Sequence, residues 1–84
     1  MERNFNGWKN RQTWNVALWI NNTEKLYLKS VAYVHECRKN GNEVRYSDFL
    51  KFANLEGRRT ADGTSYDSSR LCHEELNAML NEVE

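Results

Sequence analysis

Proline is absent from this chain of 84 residues, and glycine occurs only four times. Without proline there is no ring to break a helix or to stiffen a polyproline spacer, and so few glycines leave nothing that resembles a flexible linker. Cysteine is scarce too. Cys37 and Cys72 stand far apart, and two thiols cannot build the disulfide framework of a small secreted domain, so a reducing, cytoplasmic setting is expected. Long apolar runs are also lacking. The longest, Val16 to Ile20, falls far short of the ~18–20 residues that cross a bilayer, and no signal-like segment opens the chain. Net charge is zero, with twelve Lys/Arg against twelve Asp/Glu, which removes the whole-molecule field that would draw the protein to a polyanion.

What is present is a globular balance, 39% hydrophobic and 29% charged residues, unlike the composition of a disordered chain. Ten residues are aromatic, Trp8, Trp14 and Trp19 among them. Each buried aromatic removes about 150–250 Å² from water, enough to make a metal-free monomer feasible near the lower size limit for a single core. The neutral total hides an asymmetry. Residues 1–45 hold eight Lys/Arg and four Asp/Glu, whereas residues 46–84 hold four and eight, which leaves room for a local basic face or an acidic tail.

Periodicity and capping signals predict one all-α domain of three to four helices over residues 1–84, with a minor β element near residues 42–46. Met1 to Lys9 reads as an irregular arm whose Phe5 and Trp8 pack back. A first helix is expected from Arg11 or Thr13 to Asn21, with Thr13 as its cap. Its Trp14, Val16, Leu18, Trp19 and Ile20 point all round the axis, so it must be covered on more than one side. Thr23 caps a longer helix that Asn40-Gly41 ends, with Leu26, Tyr27, Val31, Val34 and Cys37 on the core face and Lys25, Lys29, Glu36 and Lys39 opposite. Ser47 caps a third helix from Asp48 to about Leu55, stopped by Gly57. Arg58 to Ser69 is polar and turns at Asp62-Gly63. It is long for a structureless loop, so Tyr66 is expected to anchor it. A last helix spans about Leu71 to Val83, with Cys72, Leu76, Met79, Leu80 and Val83 facing inward.

Chemistry is harder to find. The chain has no nucleophile elbow, no Gly-rich phosphate loop and no H-E-x-x-H, so an enzyme is not expected, nor a cofactor. His35, Cys37, Cys72 and His73 are the soft-ligand set, yet adjacent Cys72 and His73 diverge by about 100° on a helix and neither pair has zinc-site spacing, so no metal is expected. Glu74 and Glu75 diverge for the same reason. Arg58-Arg59 beside a polar loop suits phosphate, but equally a solvated turn. Asn15 lies among apolar residues, and a buried amide without partners costs about 1–3 kcal/mol. It is therefore expected to hold the backbone of the arm or the loop. Trp14 and Trp19 are expected in the core, while Trp8 and Arg11 suit structure and recognition alike.

The block Asn10-Arg11-Gln12-Thr13-Trp14-Asn15-Val16-Ala17-Leu18-Trp19-Ile20, followed by Asn21-Asn22, Glu24, Leu26 and Tyr27, resembles a family of small uncharacterised proteins from bacteriophages, cyanobacteria and other bacteria. The family pattern looks like N-R-E-T-W-N-V-A-L-W-I, with Gln12 in this chain in place of its acidic residue. A second matching stretch runs from Asp62-Gly63 through Tyr66-Asp67 to Leu71, then Glu75-Leu76 and Met79-Leu80. Together the two cover about half the chain. Cys72 and His73 depart from the family's Asp and aromatic residue at the start of the last helix, which weakens its cap unless Glu75 reaches back to the backbone. The resemblance implies a phage-linked accessory protein and carries no activity with it.

The expected function is that of a non-enzymatic binder that docks on a host protein and modulates it. Its candidate contact residues are Trp8, Arg11, Lys25, Lys29 and Lys39, or an acidic surface of Glu74, Glu75, Glu82 and Glu84 that meets a basic partner. Two alternatives stand beside it: nucleic-acid binding by the basic first half, and self-association through the apolar first helix as a homodimer. No membrane association is expected.

Overall fold

Asn10 opens the first helix. Its Oδ1 accepts from the Thr13 backbone N–H at 2.9 Å and from the Thr13 hydroxyl at 2.7 Å, while its Nδ2 donates to the Arg70 carbonyl at 2.7 Å. The computed structural model describes residues 7–83, and in it this cap starts α1 (Arg11–Asn22), followed by α2 (Glu24–Asn40), α3 (Tyr46–Ala53) and α4 (His73–Asn81). There is no strand among the described residues, so the all-α expectation holds, with four helices. Phe5 lies outside the described residues. Thr13, expected as the cap, sits instead inside the first turn and is fully buried, because its hydroxyl also accepts from the Cys72 N–H at 2.9 Å and ties the entry of α4 to α1.

Thr23 joins α1 to α2 without a loop. Its N–H donates to the Trp19 carbonyl at 3.1 Å and its own carbonyl accepts from Tyr27 at 2.8 Å, so one extended residue ends one helix and begins the next, with no side-chain cap bond. Gly41 then stops α2 in the left-handed region at φ 71°, where a side chain would be strained. The stripe that α2 buries is Ser30, Tyr33, Val34 and Cys37. Tyr27, expected in that stripe, is 41% exposed, and the polar Ser30 takes the inner place because its hydroxyl is satisfied locally by the Tyr27 carbonyl at 2.6 Å.

The connector at residues 42–45 is not a strand, contrary to expectation. Its backbone groups are spent elsewhere: Asn42 N–H donates to the Cys37 carbonyl at 2.8 Å, and the Tyr33 hydroxyl donates to the Arg45 carbonyl at 2.9 Å while accepting from the Arg45 N–H at 3.0 Å. Burial raises the Tyr33 phenol to about 12, so it remains a donor at neutral pH. Among the described residues the isolated antiparallel bridge lies instead between Arg59 and Ser65. The third helix begins at Tyr46 rather than after Ser47, because the Tyr46 N–H is taken by Asn77 Oδ1 of α4 at 2.6 Å, a cap from another helix. It ends at Asn54 rather than Gly57, since Asn54 itself adopts the left-handed conformation at φ 61°. The fourth helix is shorter than the apolar spacing suggested, and Glu75 does not reach back to cap it.

All four helices and the 54–72 connection feed one core. Tyr46, Phe49, Ile20, Leu76 and Leu80 are its largest fully buried apolar side chains, and Phe49 packs between the rings of Tyr33 and Tyr46, with centroids 5.8 and 6.2 Å away. Tyr66 anchors the connection as expected. It is buried, and its carbonyl accepts from the buried Tyr46 hydroxyl at 2.6 Å. Tyr46→Phe keeps the ring and strands that carbonyl, so it should lower the unfolding free energy by about 1–3 kcal/mol in urea denaturation.

Candidate binding surface

Helix α1 carries apolar residues all round its axis, and the structure gives each side a different neighbour. Val16, Ala17 and Ile20, with Thr13, form the side that enters the core. Asn15 and Trp19, four residues apart and so one above the other on a helix, form a second side covered by the loop around Thr60 and Asp62. Asn15 is fully buried. Its Nδ2 donates to Asp62 Oδ2 at 2.8 Å and its Oδ1 accepts from the Thr60 hydroxyl at 2.7 Å. Trp19 Nε1 donates to the same Asp62 oxygen at 2.9 Å. The Thr60 Oγ1 in turn accepts from the backbone N–H groups of Asp62 and Thr64 at 3.2 and 3.1 Å. Asn15 thus holds the loop through side chains, and no buried side-chain polar atom among the described residues lacks a partner. The Asn15 and Trp19 hydrogen bonds, helped by the nearby Arg11 charge, hold the Asp62 carboxyl below its ordinary value of 3.8.

The third side of α1 carries Trp14, Leu18, Asn21 and Asn22, and among the described residues Trp8 lies over it. Trp8 is partly buried against the core, and the chain beside it is pinned by the Lys9 N–H, which donates to Glu75 Oε1 at 2.8 Å. Trp8 lines a recess of about 150 Å³ together with Trp14, Ala17 and Leu18. It also lines a groove of about 360 Å³ that reaches α4, with Ala78 and Met79 as its apolar members and Glu75 and Glu82 as its acidic ones. Asn21 belongs to both, and its amide reaches Met79 Sδ at 3.5 Å. The result is a pair of recesses of mixed polar and apolar lining that share Trp8 and Asn21, the larger of them carrying two carboxylates.

The residues singled out from the sequence do not form one patch. Trp8, Glu75 and Glu82 meet at the groove, whereas Glu74 is exposed elsewhere on α4 and Glu84 lies outside the described residues. Lys25 and Lys29 share a different recess, of about 250 Å³, with Arg58, and Lys29 Nζ reaches the Ala53 carbonyl at 3.5 Å. Lys39 is exposed and does not line it. Arg11 faces yet another hollow, together with Arg59 and Arg70. Trp14 and Trp19, expected in the core, are only partly buried, because the core side of α1 is already filled by smaller residues and a helix of this radius cannot turn its whole circumference inward. Sequence reading missed Thr60, Asp62 and Arg70. Asp62-Gly63 signalled a turn, but nothing local signalled that its carboxylate meets a residue 47 positions earlier.

Cys37 and Cys72 are free thiols, and no group of three or more His, Cys, Asp or Glu among the described residues is placed to hold a metal ion. No helix among them is long and apolar enough to cross a membrane. In comparison with known sequences, the model of a family of unknown function (DUF7249) matches residues 1–84. No curated protein and no solved structure matches.

Replacing Asn15 with leucine leaves Thr60 and Asp62 short of their partners. The variant should lose about 1–3 kcal/mol in urea denaturation, and its Asp62 carboxyl, followed by carbon NMR, should titrate closer to 3.8. A depressed folded-state value means that the Asp62 contribution is in full force above the ordinary value and is lost as pH falls through the lowered one. The acid limb of the wild-type stability curve below pH 3.8 should therefore be shallower in Asn15→Leu.

Proposed function

Taking as premise that the chain belongs to this family of unknown function, we propose that it is a small non-enzymatic binding module that docks on a protein partner and modulates it. The observation that carries this reading is the third side of α1. Trp14 and Leu18 are half-covered, Trp8 lines two recesses, and Met79 supplies an adaptable wall to the larger. Tryptophan dominates the energetically important positions of protein interfaces, and methionine repacks readily around different side chains. A groove of this form takes an apolar anchor from the partner.

Glu75 and Glu82 beside the groove select the anchor's neighbours. A partner segment with lysine or arginine flanking one or two apolar side chains complements both the apolar and the acidic members of the groove. The motif resemblance supports placing that partner in the cytoplasm of a phage host, and the two free thiols fit a reducing compartment. The basic residues of the first half, which supported a nucleic-acid reading, are spread over separate recesses rather than along one track, which favours the protein partner over an extended polyanion.

Capture of partners from host lysate, with and without nuclease treatment and with identification by mass spectrometry, tests this. One stoichiometric protein should survive nuclease. Its affinity should fall about 30-fold with Trp8→Ala, the scale of an interface hot spot, and it should weaken with Glu82→Lys but not with Lys39→Gln. Binding that disappears with nuclease, or that ignores Trp8, overturns the proposal.

A further inference from the structure

Arg11 begins α1, Arg59 stands at the start of the loop that covers Asn15, and Arg70 precedes α4. Three separate stretches of chain thus bring three arginines to the wall of a single recess of about 270 Å³, together with Gln12, Ser65 and Ser68. Such a gathering of like charge opposes folding unless it is neutralised. Among the described residues it is neutralised only in part: the Arg11 charge acts on Asp62 and the Arg59 charge on Asp67, while the salt bridge found among those residues joins Arg45 to Glu43, elsewhere on the surface. Asp62 also lines the recess, its Oδ2 already receiving Asn15 and Trp19, and with Asp67 acting on Arg59 two carboxylates stand against three arginines, an excess of about one positive charge.

We infer that this recess is an anion site that binds the phosphate monoester group of a small molecule. Arginine forks match the paired oxygens of a phosphoryl group. Arg59 is already oriented, since its Nη1 donates to the Gly63 carbonyl at 3.0 Å, while the guanidinium groups of Arg11 and Arg70 make no hydrogen bond to another described side chain or carbonyl and remain available. The loop turn at Gly63, held at φ 91°, sets that carbonyl where Arg59 meets it. A monoester carries a charge of about −1.5 to −2 at neutral pH, against one for each diester linkage, so it is drawn more strongly to three arginines that share one recess. The walls of the recess contain no aromatic ring, so no nucleobase is stacked there, and the neutral chain offers no basic track for a long strand. Size, charge and polarity together select a compact dianion over a nucleic-acid backbone.

The site is independent of the tryptophan groove, and its test reads a different part of the molecule. The full chain, at constant ionic strength, is titrated with inorganic phosphate, with glycerol 3-phosphate, and with a single-stranded oligonucleotide lacking terminal phosphates, followed by proton–nitrogen NMR. Phosphate and the monoester should shift the side-chain N–H signals of Arg11, Arg59 and Arg70, and with them the indole N–H of Trp19, which shares Asp62 with the recess. The shifts should saturate. Arg70→Gln, which breaks no side-chain hydrogen bond of the described residues, should weaken both ligands about tenfold, with Lys39→Gln unchanged. Arg11→Gln provides the second reading should Arg70→Gln lose the folded spectrum. No saturable shift at millimolar phosphate or monoester, shifts centred elsewhere, or affinities indifferent to both arginine variants overturns the proposal. Tight oligonucleotide binding with none by the two small ligands overturns it in favour of a phosphodiester strand.

Discussion

A buried amide on an apolar helix must be hydrogen-bonded, and meeting that requirement at Asn15 organises much of this molecule. Both polar atoms of its side chain go to a loop 45 and 47 residues away. The loop is thereby laid across α1, with Thr60 turned inward and the Asp62 carboxylate placed where it also receives the Trp19 indole. A polar contact of this kind does what apolar packing cannot: it specifies which part of a long, polar connection lies over the helix and in what register. The hydrophobic effect supplies the larger share of stability, but it is indifferent to direction.

From that contact follows a division of labour around α1. One side is core, one is sealed by the loop, and the last is left to Trp8 among the described residues. The helix is rich in apolar residues because all three sides need them, yet only the first is a core in the ordinary sense. The same loop closure draws Arg59 and Arg70 beside Arg11, so the cationic recess depends on it, whereas the groove on another flank of α1 is bordered by α4 and by the chain that the Lys9 N–H pins to Glu75. Loops fixed to a rigid helix commonly carry recognition for this reason. Here the helix has neighbours that differ in chemistry on each flank, which gives these 84 residues two distinct surfaces.

Helix identity was readable wherever short-range chemistry governs it. The stop of α2, where Gly41 takes the left-handed turn, and the inward stripe of α4 at Leu76 and Leu80 follow from local pattern. Reading failed where a distant group replaced the local one. Asn77 caps α3 at Tyr46 in place of Ser47, the Tyr33 hydroxyl satisfies Arg45 in place of a strand partner, and Glu75 serves the Lys9 N–H in place of its own helix. Each is a side chain that travels across the fold to a backbone group, and no window of neighbouring residues contains that information. The candidate surfaces show the same limit. Trp8, Glu75 and Glu82 each stood out in the sequence as candidates, but their meeting at one groove did not, and Lys25 and Lys29 line one recess while Arg11 lines another.

Local composition settled the class of this protein: helical, free of long apolar segments, and with a polar asparagine amid aromatics that had to find a partner. Backbone propensity, periodicity and the cost of an unsatisfied amide act over a few residues, so a linear string records them. The identity of that partner, the face α2 turns inward, and the grouping of three arginines came from the packed chain. These depend on distances between residues far apart in order, set when the helices cross and the loop closes, and the string carries such distances only through the energy of the whole fold.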